Sequence, residues 1–226
     1  MKIILTEQVQ AKRLLEGFPG FGLVGPIVTE YLIEQLHCKP VGYILYDQLP
    51  ATVAVHKGKL VQPLGIYYSE KHDLLLLHAI IDVKGVEWDI VQAIEELVKQ
   101  TGIKEIVSLE GVAGNHSEEV YCFNSESFEQ QGAKPIQESV IVGVTAGLLV
   151  RKLPVHCLFA QTQSNLPDSR AAANIISFLE KHYGFSVDTQ PLLEQAALVE
   201  EKVKSVLSQT AKTVQEVDKK QMSYLG

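Results

Sequence analysis

The sequence predicts an α/β fold in which a mostly parallel sheet is flanked by helices and followed by a long C-terminal helix. Short apolar runs of strand length alternate with segments of helical periodicity along most of the chain. This strand–helix–strand order favours parallel pairing through right-handed crossovers. The 226 residues, 46% of them hydrophobic, are sufficient for one sizeable core.

The individual strands and helices follow from their sequence patterns. The run HDLLLLHAIID is apolar throughout, as in a strand buried on both faces. The next segment has apolar residues at helical spacing and ends at Gly102, which is typical of a C-cap. Asp168 or Ser169 can cap the start of another helix, and Gly184 follows its last turn. The predicted strands lie within 39–50, 72–82, 104–114 and 155–162, and the predicted helices lie within 26–36, 86–102, 139–153 and 168–184.

Two segments depart from this alternation. Residues 51–69 alternate in polarity around a KGK turn, which predicts an antiparallel hairpin at one edge of the sheet. From Leu192 to Val217 small and apolar residues recur in steps of three and four, close to a heptad seam. We therefore predict a core domain (1–188), a C-terminal helix (189–217) packed on the body or on a neighbouring subunit, and a flexible tail (218–226).

Charge and composition argue against several functional classes. The net charge of −7, from 27 acidic and 20 basic side chains, gives no footprint for nucleic-acid binding. No stretch approaches the ~20 apolar residues of a membrane helix, and the first ten residues do not have the pattern of a secretory signal. The three cysteines are too few to form a disulfide framework. We expect a reduced, cytoplasmic protein that binds neither nucleic acid nor membrane.

The stretch GFPGFGLVGP, residues 17–26, has the spacing of a dinucleotide-binding turn. Gly20, Gly22 and Gly25 spell G-x-G-x-x-G, and a helical pattern follows with Pro26 suited to its first position. Asp47 ends a predicted strand 22 residues after Gly25, near the place where such a site holds its acidic residue. These features leave a nucleotide- or small-molecule-binding enzyme open as the alternative function.

The residues before the first glycine favour a structural turn. Pro19 restrains Phe18 to extended geometry, which argues against a buried strand that runs directly into the motif. Phe18 and Phe21 are bulky for a loop that holds a pyrophosphate. We interpret the segment as a turn that lets backbone pass close to backbone, directs a helix, and presents Phe18 and Phe21 to a partner. Its turn residues are Gly17, Pro19, Gly20, Gly22 and Gly25.

The polar side chains form no convincing catalytic or metal site. The histidines make no H-x-x-x-H or H-E-x-x-H pair, and the chain has no C-x-x-C. Polar clusters follow two predicted strands, at 82–89 and at 110–119, where α/β proteins place their sites. His116 and Ser117 are adjacent in sequence, which is poor geometry for a catalytic pair. We therefore predict no catalytic residues, no cofactor and no metal, with a vestigial crevice near Glu110.

Three stretches together resemble the proteasome assembly chaperone family. EGFPGFGLVGPIVTEYLIEQL is similar to its glycine turn and the following helix, LPDSRAAANIISFLEKHYG resembles a second stretch, and VIVGVTAGLLV fits between them. These stretches span most of residues 10–185. The resemblance implies an α/β core like that of nucleoside phosphorylases without their catalytic residues, and self-association into a homo-oligomer. It also implies an ATP-independent chaperone that binds proteasome α-subunits and promotes ring assembly.

The end of the chain is a near match to a further feature of this family. Some archaeal members end in a hydrophobic residue, a tyrosine and any residue, and this tail docks between α-subunits. Here the tyrosine is third from the end, and the last three residues are Tyr224, Leu225 and Gly226. The resemblance implies that these residues bind a partner, with the predicted C-terminal helix as their stalk.

Overall fold

The structure is a computed structural model that describes residues 1–114, 118–162 and 165–194. Its strands are β1 (Lys2–Leu5), β2 (Arg13–Gly17), β3 (Lys39–Leu45), β4 (Ala54–His56), β5 (Lys59–Val61), β6 (Leu64–Ser69), β7 (Leu74–Ala79), β8 (Glu105–Ala113), β9 (Val120–Phe123), β10 (Lys134–Pro135) and β11 (Val155–Thr162). Its helices are α1 (Val24–Gln35), α2 (Glu87–Thr101), α3 (Glu126–Gln130), α4 (Gly143–Val150), α5 (Ser169–Tyr183) and α6 (Gln190–Glu194).

The main sheet has nine strands in the order β1-β3-β6-β7-β2-β8-β11-β9-β10. The four central strands, from β7 to β11, pair in parallel. Antiparallel pairs extend the sheet on both sides, and β9–β10 is again parallel. The predicted α/β class is confirmed, with the parallel pairing concentrated in the centre of the sheet.

One strand that the sequence patterns did not identify lies at the centre. Helix α2 connects β7 to β8, as predicted, but the two strands are not neighbours because β2 lies between them. Strand β2 consists of only five residues, RLLEG, and charged side chains interrupt its apolar pattern.

The segment 51–69 also differs from the prediction. Strands β4 and β5 form a separate two-stranded sheet, whereas β6 lies inside the main sheet between β3 and β7.

Alternating side chains of the central strands build two apolar layers. On β8, Val107 and Leu109 face the layer that contains residues of α1 and α5, whereas Ile106 faces the layer of α2 and α4. Helix α5 begins as predicted, because the Asp168 carboxylate accepts a hydrogen bond from the Ala171 N–H at 3.0 Å. Of the predicted C-terminal helix, the described residues include α6; the rest of that helix and the tail lie outside them.

The turn after β2 packs directly on the central strands, with backbone against backbone. A Cβ atom at Gly25 would lie 2.5 Å from the Leu109 carbonyl oxygen of β8 and 2.8 Å from the Gly17 Cα of β2. A Cβ at Gly111 would lie 2.1 Å from the Phe21 carbonyl oxygen. Such distances leave no space for a side chain, so glycine at these positions sets how closely α1 approaches the sheet.

We expect Gly25→Ala to destabilise the fold by about 1–3 kcal/mol, because the new methyl group forces β2, β8 and α1 apart. Gly20→Ala is the matched control in the same turn. Gly20 has extended backbone, and a Cβ there would lie 3.9 Å from its nearest contact. We expect its stability to stay within about 0.5 kcal/mol of wild type. Urea unfolding measures both variants, and equal stability of the two would contradict the packing constraint.

Candidate functional site

The three stretches that carry the family resemblance meet at the carboxyl ends of the central parallel strands. The glycine turn follows β2 and contacts β8 through Gly111. The backbone N–H of Asp168, at the start of α5, donates to the Gly22 carbonyl at 2.8 Å. Helix α4 is joined to β8 by a hydrogen bond from the Thr145 hydroxyl to the Glu110 carboxylate. In α/β proteins this edge of the sheet is where functional sites lie.

The glycine turn contains two successive residues in the left-handed region. Gly22 has φ of 62° and Leu23 has φ of 49°, immediately before α1 begins at Val24. For a non-glycine residue this conformation costs about 1–2 kcal/mol, and it persists only where the surroundings impose it. Leu23 is held by packing against the core layer of α1 and α5. The helix thus begins two residues before Pro26, earlier than predicted.

The structure does not bring together the parts of a dinucleotide site. A buried parallel strand does end at Gly17, so the prediction that Pro19 argues against such a strand before the motif is wrong. The strand ends two residues before the proline and does not need its N–H. Asp47 is the residue that fails. It follows β3, and β6 and β7 separate that strand from β2, a distance of roughly 14 Å across the sheet.

The two phenylalanines of the turn have different surroundings. Phe21 remains 44% exposed, whereas Phe18 is partly buried and packs against the core layer of α2 and α4. Leu166, 59% exposed, lies in the loop that leads into α5. Because the Asp168–Gly22 hydrogen bond joins this loop to the turn, Phe21 and Leu166 belong to the same edge of the molecule. We call Phe21 and Leu166 the apolar edge.

Beneath this edge the sheet contains a buried acid. Glu16 of β2 is only 1% exposed and accepts a hydrogen bond from the Ser108 hydroxyl of β8. Burial raises the pKa of Glu16 to about 8; the Ser108 and Thr145 hydroxyls oppose this rise, and the nearby Glu110 carboxylate adds to it. The pKa of Glu110 is also raised by burial, against the effect of the Thr145 hydrogen bond. Burial therefore favours the uncharged form of Glu16.

The sequence patterns missed Glu16. The burial of Glu16 could be predicted only once RLLEG was assigned to a central strand, because Glu16 then lies on the same face as the buried Leu14. Glu110 was predicted to follow its strand as part of the cluster at 110–119, whereas it lies inside β8. Of the other polar residues in the predicted 110–119 cluster, Asn115, His116 and Ser117 lie outside the described residues. The Glu119 carboxylate binds the Lys134 ammonium group at the surface.

The polar cluster after β7 organises its own loop. The Asp82 carboxylate accepts from the Lys84 N–H at 2.9 Å, and the Glu87 carboxylate accepts from the Gly85 N–H at 2.9 Å. Asp89 accepts a hydrogen bond from the Tyr46 hydroxyl. Since β2 separates β7 from β8, the structure does not place this cluster beside Glu110 in the sheet.

A cleft of about 550 Å³ with a mixed polar and apolar lining borders α5. It is lined by residues that include Glu118, Gln161, Arg170, Asn174, Ser177 and Thr189.

Among the residues that the structure describes, no three His, Cys, Asp or Glu side chains are grouped so that they could hold a metal ion. In the same part of the chain, no helix is both long and apolar enough to cross a membrane.

Comparison with known proteins finds chains and solved structures that are similar to this chain over most of its length. PbaA of Pyrococcus furiosus, an archaeal homolog of proteasome-assembly chaperone, is 27% identical, with a TM-score of 0.82 over 93% of this chain and 99% of that chain. An uncharacterized protein of Methanocaldococcus jannaschii is 26% identical over 100% of this chain and 98% of its own length. PbaB of Pyrococcus furiosus, an archaeal proteasome activator, shares the fold at 21% identity, with a TM-score of 0.71 over 91% of this chain and 98% of that chain.

The family assignment comes from the sequence itself. The model of the PAC2 family matches residues 14–207, which include the glycine turn, α4 and the whole of α5. These are the segments that meet at the carboxyl edge of the sheet. The chain therefore belongs to the PAC2 family.

Proposed function

We propose that this protein is an ATP-independent proteasome assembly chaperone, which binds proteasome α-subunits as a cytoplasmic homo-oligomer and promotes ring assembly. The observation that carries the proposal is the PAC2 match over residues 14–207. The full-length similarity to PbaA, a homolog of proteasome-assembly chaperone, supports it. No catalytic role is part of the proposal. Asp82 and Glu87 bind backbone N–H groups of their own loop, and Glu16 is buried and hydrogen-bonded to Ser108.

The apolar edge is the first surface that we assign to the partner. Phe21 and Leu166 are large exposed apolar side chains. The turn of Phe21 is fixed by close backbone contacts, and the loop of Leu166 is joined to it by the Asp168–Gly22 hydrogen bond. A fixed apolar projection loses little conformational entropy on binding, which is a property of binding hot spots. Phe18, packed beneath, supports the turn in this arrangement.

The second assigned surface is the C-terminal tail with Tyr224, Leu225 and Gly226. A terminal carboxylate can pair with a lysine, and a tyrosine can fill an apolar pocket of a partner. A tail attached to a folded body also acts at a high effective concentration once the body is bound. The apolar edge and the tail thus form a bivalent contact with the proteasome.

Removal of Tyr224, Leu225 and Gly226 is expected to weaken binding to purified proteasome α-subunits by about tenfold or more, because a bivalent contact becomes monovalent. Titration calorimetry of full-length and truncated protein measures the change. The Tm should remain the same, which separates binding from folding. Unchanged affinity would remove the tail from the proposal, and absence of binding by the full-length chain would overturn the function.

Phe21→Ser is expected to weaken the same binding by roughly 1–3 kcal/mol, since it removes the largest exposed side chain of the turn. Phe123→Ser is the matched control, because Phe123 is 41% exposed but lies on β9. Size-exclusion chromatography of both variants reports whether the homo-oligomer is retained. Equal loss of affinity in the two variants would contradict the assignment of the apolar edge.

The alternative function, a nucleotide- or small-molecule-binding enzyme, predicts stabilisation by its ligand. A ligand at 100 times its Kd adds about 2.7 kcal/mol to the free energy of unfolding. We expect no change in Tm with saturating ATP, NAD or nucleosides. Gly25 of the turn lies against backbone atoms of β2 and β8, in the space that a pyrophosphate would need. A nucleotide-dependent rise in Tm that Gly20→Ala abolishes would favour the alternative.

A further inference from the structure

The buried acid Glu16 lies where three elements of the fold meet. It belongs to β2, its register partner on β8 is Ser108, and Thr145 of helix α4 is close enough to affect its pKa. The Ser108 hydroxyl donates to one carboxyl oxygen of Glu16. The Thr145 hydroxyl donates to the neighbouring acid Glu110. One threonine of α4 therefore binds one acid of the sheet and lies near the other.

We propose that Glu16, Thr145 and Glu110 form a proton-dependent latch that holds α4 on the sheet. In the closed latch Glu16 is protonated and accepts from the Ser108 hydroxyl, while the Thr145 O–H donates to the ionised Glu110. The cluster then carries a single negative charge. When Glu16 loses its proton, two carboxylates face each other beneath α4, and their repulsion weakens the contact of Thr145 with the sheet.

The neighbouring groups on β7, β8 and β11 fit this protonation state. Glu110 provides a like charge from β8, which favours the neutral form of Glu16. Cys157 of β11 lies on the same face, and burial together with the two acids raises the pKa of its thiol, so it remains uncharged. On β7, Leu77 is the register partner of Glu16, and His78 faces the opposite layer, where it is hydrogen-bonded to Thr29.

The acidic groups of α2, the other helix of this layer, lie elsewhere. Glu87 accepts from its own loop, Asp89 binds Tyr46, Glu95 pairs with Lys99 at 2.9 Å, and Glu96 is exposed. Helix α4 itself, GVTAGLLV, contains no charged residue. Its polar contact with the acids of the sheet is the hydrogen bond from Thr145 to Glu110.

The sign of the pH dependence follows from the direction of the shift. The folded protein holds the Glu16 proton up to about pH 8, whereas an exposed glutamic acid releases it near pH 4.5. The latch therefore stabilises α4 fully at low pH, and this stabilisation is lost as the pH rises toward 8. If opening of α4 exposes Glu16, the equilibrium constant for opening rises about tenfold per pH unit in that interval.

Hydrogen exchange of the full chain between pH 6 and pH 8 tests the latch. After correction for the intrinsic exchange rate, protection of 143–150 should fall about tenfold per pH unit, while protection within α5 should change less. Glu16→Gln, an isosteric uncharged side chain, should remove this pH dependence. Glu96→Gln, at an exposed glutamate of α2, is the matched control and should behave as wild type.

Thr145→Val gives a second test that keeps both acids in place. It should lower the protection of α4 at pH 6 toward the wild-type value at pH 8, because the hydroxyl that binds Glu110 is gone. A wild-type α4 whose protection does not change with pH would overturn the proposal. So would an equal change in α5, which indicates global unfolding, or a pH dependence that persists in Glu16→Gln.

Discussion

The position of the Gly17–Gly25 turn is fixed by its close backbone contact with β8, and the arrangement of this edge of the sheet depends on that contact. Because Gly25 lies close to both Gly17 of β2 and the Leu109 carbonyl of β8, the start of α1 lies directly on the two central strands. The turn must then leave the sheet through two left-handed residues, Gly22 and Leu23. The close packing of glycines therefore determines both the position of α1 and the exposure of Phe21.

The same edge of the sheet fixes the other family segments. The Gly22 carbonyl accepts a hydrogen bond from the backbone N–H of Asp168, whose side chain caps α5. The Thr145 hydroxyl joins α4 to Glu110 of β8. The apolar edge and the buried acids Glu16 and Glu110 beneath it thus depend on neighbouring positions of β2 and β8. A scaffold of this kind suits a protein that presents a preformed surface to a partner, since little ordering is required on binding.

Much of the fold could be predicted from the sequence, because long buried strands and capped helices have distinct patterns. HDLLLLHAIID, VHCLFAQT and the helix capped by Asp168 are where they were expected. Strand β2 was missed because its five residues give too short a pattern, and the buried Glu16 was missed with it. Asp47 matched the dinucleotide spacing in sequence, but spacing along the chain does not determine which strands become neighbours.

Hydrogen exchange of the complex with proteasome α-subunits locates the bound surface on the chain. We expect added protection at residues 18–23 and 165–168, where the glycine turn and the start of α5 meet. The β4–β5 hairpin, which also exposes Val55 and Leu60, should show none. Protection confined to that hairpin, with the glycine turn unchanged, would show that the partner does not bind at the apolar edge.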